Sequence, residues 1–80
     1  MPEPTSISVY RARRDWLIHR LARIEDTLAR WNAYQANERL PVERRQELKA
    51  PLVSRSSLEI VRQGAIDGLL EWEQGWERRN

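Results

Sequence analysis

Asp15 and His19 stand four residues apart, and His19 is the only histidine in the sequence. On a helix that spacing puts a carboxylate and an imidazole on one face, where they could hold an edge of a metal ion or move a proton. A zinc site takes three or four ligands of compatible type. The sequence has neither a second His nor any Cys. The pair is therefore expected to be an ordinary solvated one, with no metal and no cofactor. The hydroxyls of Ser54, Ser56 and Ser57 lack a nucleophile-elbow context, and no glycine-rich phosphate loop occurs. They are expected to serve a turn and a helix cap, with Ser56 and Glu59 at capping-box spacing. A chain of 80 residues also has little volume with which to wall a ligand-sized pocket. Enzymatic chemistry is not expected.

The residue pattern with the most capacity for recognition is a stripe at alternating three-four spacing: Arg13, Trp16, Arg20, Arg23, Thr27, Arg30 and Tyr34. Guanidiniums interleaved with aromatics suit a protein interface, where Trp and Arg are the commonest anchors. The same set could hold phosphates while stacking bases, as single-strand binders do. The plain alternative is that the Arg stems cover Trp16 and their charges pair with acids elsewhere in the chain. Trp76, in the last turn of a second helix, is a further candidate anchor, although a tryptophan sealing a small core is the commoner case. Trp31 and Trp72 lie on apolar seams and are expected in the core.

Gly64, Gly68 and Gly75 form a second pattern, since each interior glycine costs a helix about 1 kcal/mol relative to alanine. Two uses are expected to compete. Gly64 and Gly68 either admit the alanine-rich flank of the first helix or form, with Ile66 and Leu70, a surface for self-association.

Two amphipathic helices must position these groups. Ile7, Tyr10, Leu17, Leu21, Ile24, Leu28 and Trp31 recur at helical spacing, interrupted only by Arg14, and predict a first helix over residues 6–37. Leu58, Val61, Ala65, Leu69, Trp72 and Trp76 predict a second over 54–78, widened by Ile66 and Leu70. The Pro-rich residues 1–5 are expected to be an extended tail. Residues 41–50, opened by Pro41 and closed by Pro51, read either as a separate short helix or as the first part of helix 2. The second reading gives a hairpin with matched arms. The fold class is thus all-α, an antiparallel helical hairpin whose second helix is kinked or broken near Pro51, in a single domain.

Charge supports the antiparallel sense. From Ser8 to Ile24 there are five Arg and one Asp, and from Ser56 to Glu77 five acids and one Arg. Cations near a helix start and anions near a helix end both oppose the macrodipole. Folding back sets each misplaced set beside the other.

Composition bounds what remains. Hydrophobic residues make up 40% of the chain and charged residues 32%. That balance is too apolar for a disordered tail. The longest apolar run is three residues, far below a membrane span. Without Cys or a secretory-type leader, a cytoplasmic protein is expected. The net charge of +2 is a weak basic footprint for a nucleic-acid binder. Thirteen Arg stand against one Lys, the bias of a GC-rich coding sequence such as that of a bacterium, plasmid or phage. A two-helix hairpin leaves apolar flanks wet, Ile18, Ile66 and Leu70 above all, so completion by dimerisation or by docking on a partner is expected. The function these features point to is a non-enzymatic protein-interaction module: a small regulator, adaptor or inhibitor. A nucleic-acid accessory protein using the Arg/Trp stripe is the alternative, and no membrane role is expected.

Overall fold

In the computed structural model, which describes residues 7–79 of the chain, the apolar three-four spacing forms one uninterrupted helix, α1, Ile7–Glu38. A single 3₁₀ turn follows at Val42–Arg44, and after an extended strap the chain enters α2, Arg55–Arg79. The expected tail, residues 1–5, lies outside the described residues. At about 1.5 Å per residue α1 is about 48 Å long and α2 about 37 Å. The two pack side by side in a rod of 63 × 19 × 17 Å.

Three contacts fix the antiparallel register. Trp72 Nε1 donates to the Tyr10 carbonyl at 3.2 Å, Arg62 reaches Glu25 at 3.0 Å, and Arg55 donates to Gln35 Oε1 at 2.8 Å. The start of α2 therefore lies beside the last turns of α1, and its end beside the first. Both helices read as helical from sequence, and they pair as the turn and the counter-dipole charges require. No helix among the described residues is long and apolar enough to cross a membrane.

Residues 41–50 depart from both sequence readings. They are neither a separate helix nor the first part of helix 2: beyond Val42–Arg44 the stretch is extended, and α2 begins after Pro51 rather than kinking at it. The arms are accordingly unequal, 32 and 25 residues. The physical reason lies in tertiary hydrogen bonds. Asn37, buried at the end of α1, brackets the Gln46 peptide, donating from Nδ2 to its carbonyl at 2.8 Å and accepting from its N–H at 2.9 Å. Arg45 folds back on the free carbonyls of the α1 C-terminus, reaching Leu40 O and Glu38 O at 2.9 Å each. It supplies the cation that the last turn of α1 lacks. Helix over 41–50 would forfeit these bonds and bury only Val42 and Leu48 in return, too little for so short a segment.

The cap of α2 also differs from expectation. Ser54 is the N-cap, as its side chain and its carbonyl both show. Its Oγ accepts from the Ser57 N–H at 3.2 Å, and its carbonyl takes the first helical bond, from Leu58, at 3.0 Å. Ser56 lies inside the first turn, so the Ser56–Glu59 capping box does not form, and Glu59 pairs instead with Arg55 at 3.5 Å. We expect Ser54→Ala to destabilise the protein by about 1 kcal/mol, as cap removal does. Ser56→Ala should change nothing within about 0.5 kcal/mol. Urea titration of the two variants by circular dichroism checks the assignment.

Among the described residues buried apolar side chains are few: Leu17 (5% exposed), Leu58 (6%) and Ala65 (1%). Trp31 and Trp72, expected in the core, are only partly covered. Each indole N–H is anchored on a backbone carbonyl, Trp31 on Val53 at 2.8 Å and Trp72 on Tyr10. At the open end Tyr10 stacks on Trp76 at 4.5 Å and on Trp72 at 6.2 Å between ring centroids. These rings form an aromatic clasp between the two helices.

Candidate functional site

Which flanks of the two helices share a side follows from the ion pair Arg62–Glu25 and from the bond of Arg55 to Asn32. Ile18 lies two turns before Glu25 on one face of α1, and Ile66 one turn after Arg62 on one face of α2. These two isoleucines, with Leu70, therefore lie on the same side of the hairpin and at the same level. The opposite flanks meet on the other side. There the stripe of Arg13, Trp16, Arg20, Arg23, Thr27 and Arg30 runs beside the flank of α2 that carries Ser57, Gly64, Gly68, Glu71 and Gly75.

Trp16 is the centre of the Arg/Trp side. It is 53% exposed. That is unusual for so large an apolar group in a chain with so small a core. Arg13 lies over it at 4.7 Å and Arg20 at 6.0 Å from the ring centroid. Each such exposed contact contributes about 0.5–1 kcal/mol. The guanidiniums of Arg13 and Arg20 thus lie against Trp16 but leave it half-exposed, where the plain reading had it covered. The second half of that reading, pairing with the acidic helix, is not found. Among the described residues the ion pairs are Arg45–Glu38, Arg55–Glu59 and Arg62–Glu25, and Arg13, Arg20, Arg23 and Arg30 join none of them. Farther along, Arg23, Asp26, Thr27 and Arg30 line a shallow open depression, with the Thr27 hydroxyl tied to the Arg23 carbonyl at 3.1 Å. Tyr34 ends the stripe half-buried, its ring edge-on to Trp31 at 5.8 Å. Trp76 is placed elsewhere, half-buried in the aromatic clasp and on the side of α2 that meets α1.

The glycines do not serve close packing within the hairpin. A Cβ built on Gly64, Gly68 or Gly75 meets nothing within 4 Å, so the alanine-rich flank of α1 does not approach them. Nor do the four residues expected to act together in self-association form one surface. Gly64 and Gly68 lie on the Arg/Trp side, Ile66 and Leu70 on the other.

Asp15 and His19 are both exposed and make no hydrogen bond or ion pair with each other. No group of three or more His, Cys, Asp or Glu side chains gathers as a metal site among the described residues. Two features escaped sequence reasoning. The Tyr10 clasp follows only once the register pairs residue 10 with 72, and the Asn37–Gln46 bracket has no local signature at all.

No protein-family model matches the chain, and neither a curated protein nor a solved structure matches it significantly. The functional reading therefore rests on the side chains themselves.

Proposed function

We propose that this hairpin is a non-enzymatic protein-interaction module, a small regulator, adaptor or inhibitor that acts by laying its Arg/Trp side on a partner protein. The observation that supports this reading most is the state of the stripe: a half-exposed Trp16 among arginines that form no ion pair among the described residues. Desolvating an indole while giving unpaired guanidiniums bidentate carboxylate partners is the usual energy source of an interface hot spot. The complementary surface is acidic, with a cleft for one aromatic ring. The four arginines outnumber the carboxylates near them, such as Glu71 on the neighbouring flank of α2 and Asp26 beside Arg23 and Arg30, so the side as a whole is cationic.

The test uses the tagged full-length chain to capture its partner from cells that express it, followed by affinity measurement on the purified pair. Trp16→Ala should cost about 2 kcal/mol or more, and Trp16→Ala with Arg20→Ala should abolish measurable binding. Far-UV circular dichroism should stay unchanged, because neither side chain supports the core. Binding that survives the double substitution sinks the assignment. The nucleic-acid reading uses the same guanidiniums and predicts retention on heparin at low salt, with affinity falling steeply as salt rises.

A further inference from the structure

The opposite side of the hairpin carries a surface of a different kind, and its charges decide what can cover it. Ile18 (43% exposed) and Leu70 (49%) flank the half-buried Ile66, giving an apolar centre that the described residues leave uncovered. Around it, counting by helical position, stand Arg11, Arg14, Arg55 and Arg62 and the acids Glu25, Glu59, Glu73 and Glu77. The two signs balance in number, in contrast to the cationic Arg/Trp side. They are also sorted along the rod. Arg11 and Arg14 stand near the start of α1, level with Glu73 and Glu77 near the end of α2, as the pairing of Tyr10 with Trp72 and Trp76 sets the register. Arg62 pairs with Glu25 and Arg55 with Glu59, whereas Arg11, Arg14, Glu73 and Glu77 join no ion pair among the described residues. The Arg14 Nε is buried within the hairpin itself, without a hydrogen-bond partner.

We infer that this side binds a second copy of the chain, making an antiparallel four-helix bundle with its two-fold axis along the rod. That axis sets α1 of each copy on α2 of the other at the same level. Ile18 then meets Ile66 and Leu70 of the second copy, and Arg11 and Arg14 meet its Glu73 and Glu77. The counter-dipole charges that the hairpin brings close but leaves unpaired are compensated across the interface. The exposed area leaves room for such an interface. The chain exposes 6376 Å² at a mass of 9.6 kDa. A compact monomer of that mass would expose about 5100 Å², whereas a standard interface takes about 800 Å² from each partner. A dimer formed through the other side would instead gather the four stripe arginines of both copies into one interface, where they outnumber the carboxylates. The inferred dimer leaves both Arg/Trp sides outward, so one assembly presents two partner-binding ridges. It is independent of what those ridges bind.

Sedimentation equilibrium of the full chain alone provides the test. The expected result is a dimer with a dissociation constant of about micromolar or tighter. Leu70→Glu, and separately Ile18→Glu, should give a helical monomer, with folding followed by circular dichroism. Arg11→Glu and Glu73→Arg should each weaken the dimer roughly tenfold, and the two together should restore it. Gly64→Ala with Gly68→Ala, on the other side, should leave the mass of the assembly unchanged. A monomeric parent chain overturns the inference, as does a dimer that survives both glutamate substitutions or breaks only on the glycine changes. Failure of the charge swap to restore association overturns the proposed pairing of α1 with α2 of the second copy.

Discussion

Replacing Gly64, Gly68 and Gly75 together by alanine should raise the stability of this protein by about 2–3 kcal/mol. Each substitution adds a good helix former to a helix interior, worth about 0.8–1 kcal/mol when the new methyl meets no obstacle. The structure leaves the space: an added Cβ at all three positions has no neighbour within 4 Å. For a domain of this size the gain corresponds to a rise in melting temperature of roughly 10–20 °C, readable by thermal circular dichroism. A fall in melting temperature would mean that something packs against the glycines in solution. The size of the expected gain also bears on function. The glycines lie on the same side as Trp16, and smoothing that flank lets a partner bound by the Arg/Trp stripe come close to the α2 backbone. Residues that forgo stability at no structural benefit are common where contact with another molecule matters. Partner affinity measured on the triple variant should therefore fall while its melting temperature rises, a separation that no purely structural role for the glycines predicts.

How much of this was legible in the sequence depended on the range of the interactions. The seams are local periodicities, and they place α1 and α2 within a residue or two of their observed bounds. The antiparallel sense was legible in charge, because macrodipole mismatches of opposite sign have a simple remedy. The strap was not. Val42 to Ala50 has the composition of a polar helix, and what decides against it is one side chain nine residues away, Asn37, bracketing the Gln46 peptide. The cap was misplaced for a related reason: the Ser56–Glu59 spacing is a local signal, and the bonds that make Ser54 the cap follow from where the helix starts. The candidate site was half legible. Helical spacing alone defined the Arg/Trp stripe, whereas its lack of internal acidic partners is a fact of register. The same limit hides the company of Gly64 and Gly68: neighbours in sequence to Ile66 and Leu70, they lie across the helix from them. Trp76 stands near the end of a helix, and the ring that covers it, Tyr10, lies at the far end of the sequence.

The largest single loss of stability should come from Leu17→Ala. Leu17 is one of the few buried apolar side chains. Truncating such a leucine costs about 2–5 kcal/mol through lost burial and a residual cavity. A chain of this length has a total stability of about 4–12 kcal/mol, so the loss consumes much or all of it. Ile60→Ala is the control, because Ile60 is 75% exposed. Its truncation should stay within about 0.5 kcal/mol. Urea denaturation at low protein concentration should therefore show Leu17→Ala largely unfolded and Ile60→Ala like the parent. The measurement gains force when repeated over a range of protein concentrations. Leu17 does not reach the side inferred to hold a second copy, so its loss weakens the hairpin and leaves the dimer surface intact. Mass action then predicts that raising the concentration refolds the variant, because a species that binds only the folded form stabilises it. A denaturation midpoint that climbs with concentration places the missing stability between two copies. A midpoint that stays fixed returns it to the short seam of Leu17, Leu58 and Ala65 within one.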